Sequence, residues 1–75
     1  MVYHQFYEEL GSMQGVDVSY VMKPNNVQIC NVRLNGKYIA SFPIPDPSDY
    51  VDDAIIADVL NKLGMANKIA LYQSM

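Results

Sequence analysis

Asn35-Gly36 sits between two apolar runs, "VQICNVRL" before it and "KYIASFPI" after it. Asn-Gly flanked in this way is the strongest short-range hairpin signal, because both central residues of a type I′ turn need positive φ. The turn places Leu34 opposite Lys37. Continued without irregularity, the pairing runs Arg33 with Tyr38, Val32 with Ile39, Asn31 with Ala40 and Ile29 with Phe42. Side chains then sort by alternation. One face carries Val27, Ile29, Ala40, Phe42 and Ile44, with Tyr38 beside Arg33. The other carries Cys30, Val32, Leu34 and Ile39 with Ser41. Both faces read as apolar.

A further strand precedes the hairpin. From Val16 to Met22 the residues Val16, Val18, Tyr20 and Met22 alternate with Asp17, Ser19 and Val21, and Lys23-Pro24-Asn25-Asn26 supplies a turn. Before it the period changes. At 100° per residue Val2, Tyr3, Phe6, Tyr7, Leu10 and Met13 fall on one arc, which predicts an amphipathic helix ended by Gly15.

After the hairpin comes "FPIPDPSDYVDDAIIADVL", which holds five of the chain's eight acidic residues. Asp46 followed by Pro47 fits an N-cap with proline at the first helical position, and Asp49 then stands where the acid of a capping box belongs. The helix so begun buries Ile55, Ile56, Val59, Leu60 and Leu63. Asp49, Asp52 and Asp53 lie near the positive end of its dipole, and Asp58 lies on the solvent face with Lys62 four residues on. Gly64 closes it, and Asn67 caps a short last helix carrying Ile69, Leu71 and Tyr72. The predicted fold is α+β in two layers: helix, three-stranded antiparallel meander, helix and a short C-terminal helix, all one small domain over residues 1–75.

Within this segment "NKLGMANKIALY" resembles the end of the DNA-binding domain of LuxR-type response regulators, where a helix ends in Leu-Gly and an Asn caps a short final helix. The resemblance covers about a dozen residues, lacks that family's recognition-helix pattern, and implies only helix, turn, helix. The element order is similar to that of double-stranded RNA-binding domains, which place a lysine cluster at the start of the second helix. Here that position holds Asp49, Asp52 and Asp53. The reversed charge argues against RNA binding by that mode.

Composition narrows the chemistry. Net charge is −3, and the five cations, Lys23, Arg33, Lys37, Lys62 and Lys68, form no cluster that would grip phosphates, so direct nucleic-acid binding is not expected. One histidine, His4, and one cysteine, Cys30, offer no nucleophile-and-base pair and no disulfide. The acids at 49, 52 and 53 lack the loop and bidentate Glu of a calcium site, and no glycine-rich phosphate loop occurs. No enzyme, metal or cofactor is expected. The single cysteine fits a reducing compartment, so the expected location is the cytoplasm, and "MVYHQFYEEL" has neither a basic n-region nor an apolar run while no segment could span a bilayer, so a soluble protein is expected.

The function expected by exclusion is a non-enzymatic protein-binding module. The expected type is a small inhibitor or adaptor such as phages and mobile elements encode, for example an anti-restriction or anti-CRISPR protein. Its partner would be a protein, a basic nucleic-acid-binding one if the acids dock into that partner's DNA-binding groove. The candidate partner-binding residues are Val21, Val32, Leu34 and Ile39 on the second sheet face and Asp49, Asp52, Asp53 and Asp58 on the helix. The alternative is a homo-oligomeric structural or regulatory protein that pairs through that apolar sheet face.

Overall fold

The computed structural model describes residues 1–74, with side chains to residue 66. The elements are α1 (Tyr3–Ser12), β1 (Val16–Met22), β2 (Gln28–Leu34), β3 (Lys37–Ile44) and α2 (Asp53–Ser74). The three strands form one antiparallel sheet in the order β1-β2-β3, as expected for a meander. Asn35 and Gly36 have φ of 52° and 85°, the two positive angles that a type I′ turn demands. Gly15 ends the turn after α1 with φ of 79°. Its carbonyl accepts from the Asn35 N–H at 2.8 Å, so the helix-to-strand turn is docked on the hairpin tip.

The register departs from the simple hairpin. Leu34 faces Lys37 and Arg33 faces Tyr38, but a β-bulge then inserts Ile39, and Val32 pairs with Ala40, Cys30 with Phe42 and Gln28 with Ile44. One extra residue on one strand exchanges the faces of everything beyond it. Cys30, Val32 and Leu34 therefore join Ala40, Phe42 and Ile44 on the face the helices cover. The expectation that Val32 and Leu34 line an open face is overturned: Val32 is fully buried and Leu34 nearly so. Burying a Val or Leu side chain stabilises by about 1.5–3 kcal/mol, whereas a backbone hydrogen bond is worth about 0.5–1.5 kcal/mol net. Core burial outweighs the ladder disruption.

Against that face α1 packs Tyr3, Phe6 and Leu10, and α2 packs Val59 and Leu63, with Ile55 and Ile56 half-buried beside them. Phe42 is central, with its ring 5.4 Å from that of Phe6 and 6.3 Å from that of Tyr3. Leu60, expected inside, lies at the rim and is 41% exposed.

The second helix starts later than its prolines suggest. Asp46 instead folds its own turn, its Oδ1 accepting from the Ser48 N–H at 2.9 Å and the Ser48 hydroxyl at 2.8 Å. Asp52 is the cap. Its Oδ1 accepts from the Ala54 N–H at 3.0 Å, and its carbonyl takes the N–H groups of Ile55 and Ile56. At the other end α2 does not stop at Gly64 but continues as one helix to Ser74, so no separate last helix exists. Gly64 lowers helix propensity by about 1 kcal/mol, too little to end a helix whose preceding turn buries Val59 and Leu63. The side chain of Asn67 lies outside the described residues. Among those residues no helix is long and apolar enough to cross a membrane.

Replacing the cap tests this assignment. Asp52→Ala should cost about 0.5–2 kcal/mol in urea denaturation. Asp58→Ala, whose 3.0 Å ion pair with Lys62 is solvent-exposed, should cost well under 1 kcal/mol.

Candidate protein-binding surface

Strands β1 and β3 both end beside the start of each helix, so one end of the molecule gathers the N-termini of α1 and α2 and the loop from Asp46 to Asp52. Opening residues of a helix leave their N–H groups unpartnered. In α1 the loop supplies the acceptors: Tyr3 N–H donates to the Asp49 carbonyl at 2.9 Å and His4 N–H to the Pro47 carbonyl at 3.0 Å. The Val51 N–H donates to the Met1 carbonyl at 2.9 Å, and Val2 and Tyr50 form an isolated antiparallel bridge. Gln5 closes the arrangement by accepting the Val2 N–H on Oε1 at 3.0 Å. Val51 is buried, which pins the loop from inside. The loop is held by backbone bonds rather than left free.

What this fixed loop presents outward is charge and one ring. Asp46, Asp49, Asp52 and Asp53 are all exposed, and Tyr50 is 80% exposed. Hydrogen bonds from the Ser48 N–H and hydroxyl hold the Asp46 carboxyl below the usual carboxylate range by favouring its charged form. Among the described residues none of these four carboxylates is in an ion pair, and no three acid, His or Cys side chains converge to hold a metal. Beside the loop runs an apolar groove of about 270 Å³ lined by Tyr3, Asn26, Val27, Pro43, Ile44 and Pro45.

The sheet's open face continues from there in graded rows. Val21, Ile29 and Pro43 align across the three strands nearest the groove; Ser19, Asn31 and Ser41 follow, then Asp17, Arg33 and Tyr38. Only the first row is apolar.

Of the residues expected to bind a partner, the structure brings Val21, Asp49, Asp52 and Asp53 to this end. Asp58 stands apart along α2, engaged with Lys62. Val32 and Leu34 are core, and Ile39 is half-buried against the core at the bulge, so the apolar face proposed for docking or self-pairing is not there. Tyr50, Val27, Pro43 and Pro45 were not singled out from sequence. Tyr50 could have been, since it stands among four aspartates at a point where the helical apolar period has not begun.

His4 is exposed, with Nε2 3.2 Å from Glu8 on the next turn of α1. Cys30 lies at the centre of the sheet, fully buried, and burial pushes its thiol up to about 11. A protonated, enclosed thiol is a poor nucleophile. No protein-family model matches this chain, and neither a curated protein nor a solved structure matches it.

The Cys30 environment has a stability signature. A folded-state pKa above the unfolded value near 8.5 contributes stability that is complete below that value and declines as pH rises toward 11. Urea midpoints at pH 8 and pH 10.5 should therefore fall further for the wild type than for Cys30→Ala. Equal falls would show that the thiol does not carry this dependence.

Proposed function

We propose that the protein is a non-enzymatic binding module that docks on a basic protein partner through the loop from Asp46 to Asp52. A small inhibitor or adaptor of the phage or mobile-element kind fits this reading. The observation that carries it is Tyr50, 80% exposed on a loop tied by backbone hydrogen bonds, with four exposed carboxylates near it in the chain that form no ion pair among the described residues. Exposed tyrosines are favoured interface anchors, since they offer large area at low entropic cost. A loop already fixed loses little further freedom on binding. The carboxylates steer a positively charged surface toward it, and the Val27, Pro43 and Pro45 groove offers an apolar seat where the chain enters the loop. A basic nucleic-acid-binding protein has the matching charge.

Affinity capture from host lysate at low salt tests this reading. Wild-type protein should retain a basic protein that is released as salt rises past about 0.15 M, where screening shortens to about 8 Å. Tyr50→Ala should lose most of that retention, and Asp49→Lys with Asp53→Lys should lose it while remaining folded by circular dichroism. Retention that is equal in all three proteins would refute the docking surface.

A further inference from the structure

We propose that the free edge of β1 pairs antiparallel with β1 of a second copy of this chain, Ser19 facing Ser19, so that two three-stranded sheets join into one. The two edges of the sheet are treated differently by the sequence. The β3 edge carries the bulge at Ile39 and Pro43, devices that blunt an edge against pairing. The β1 edge carries neither. It is a regular strand, "VDVSYVM", with Asp17 as its single charge and Tyr20, Val21 and Met22 each more than two-fifths exposed.

The groups available along it follow from the ladder. Asn35 N–H bonds the Gly15 carbonyl and Lys23 N–H bonds the Val27 carbonyl, at the two ends of the β1 and β2 register. Antiparallel bonded pairs recur every second residue, so Asp17, Ser19 and Val21 bond to β2 while Val16, Val18, Tyr20 and Met22 turn their N–H and C=O groups outward. Tyr7 reaches this edge from α1, its hydroxyl donating to the Val18 carbonyl at a long 3.4 Å, which leaves that oxygen a second lone pair.

These free groups complement themselves. About a two-fold axis at Ser19, Val16 meets Met22 and Val18 meets Tyr20, so every outward N–H and C=O of the strand finds a partner. A register one residue further along sets Val16 against Pro24, which has no N–H. On the covered face, Val18 of the second copy closes over Tyr20, whose ring stacks on Tyr7 at 4.3 Å and is otherwise 41% exposed. On the open face, Asp17 meets Val21 of the second copy instead of another Asp17, and stands diagonal to Lys23 of the second copy, within reach of a long side chain. The same antiparallel arrangement sends the two acidic loops to opposite ends of the dimer. Charge favours the pairing and leaves the partner-binding loops free.

Light scattering on the purified chain at submillimolar concentration reads the result. The wild type should be a dimer. Asp17→Lys, which sets lysine toward Lys23, should raise the dimer dissociation constant about tenfold or more, and Asp17→Lys with Lys23→Asp should restore it. Lys23→Asp alone is the second disruptor should the first variant fold poorly. Tyr50→Ala should dimerise as the wild type does, which separates this interface from the docking loop. A monomeric wild type, a dimer indifferent to Asp17→Lys and Lys23→Asp, or a double variant that stays monomeric would each overturn the pairing.

Discussion

The structure turns on the bulge at Ile39. A two-residue Asn-Gly turn fixes the phase of β2 against β3, and with straight pairing the turn would set Cys30, Val32 and Leu34 on one face and Ala40, Phe42 and Ile44 on the other. Neither set alone makes a core. One inserted residue brings them together, and the helices then need to cover only one face. The opposite face is left with Ser19, Asn31, Ser41 and Arg33 across its middle and far rows, which water can solvate. The bulge also blunts the β3 edge, leaving β1 as the regular one.

A second constraint acts at the end where both helices begin. The chain from Asp46 to Asp52 closes only part of its own backbone bonding, through the turn at Asp46, and α1 begins with N–H groups that lack acceptors within the helix. Each answers the other through the Tyr3 to Asp49 and His4 to Pro47 bonds. Four aspartates beside two helix N-termini are favoured there by the helix dipoles, so a loop dense in like charge is compatible with stability. Tyr50 is exposed as a consequence: its backbone bridges Val2 and its neighbour Val51 points inward.

Much of this was legible in the sequence. The Asn-Gly turn, the three strands to within one residue, and Tyr3, Phe6 and Leu10 on the buried side of α1 follow from local pattern; Met13, expected on the same arc, lies past the helix and is 38% exposed. The bulge was not read, although a sign of it was present. Cys30, Val32 and Leu34 alternate on one side of the turn and Ala40, Phe42 and Ile44 on the other, and the two alternations are out of phase by one residue. Apolar residues on both apparent faces looked like a binding patch, when the cooperative gain of one merged core decides the register. The cap was misplaced for a similar reason. Asp46-Pro47 has the local form of a helix start, but the periodic apolar residues begin at Ile55, and of the two acids just before them Asp52 caps and Asp53 opens the helix. Gly64 was given more weight than a single glycine carries against the buried residues before it.

Nuclear Overhauser contacts between α-protons across β2 and β3 test the register most directly. Such protons approach closely only in the non-hydrogen-bonded pairs of an antiparallel ladder. The bulged register predicts a strong contact between Asn31 and Ser41. A contact between Asn31 and Ala40 in its place would mean that the hairpin continues without the bulge, that Val32 faces away from Phe42, and that the core described here is wrong.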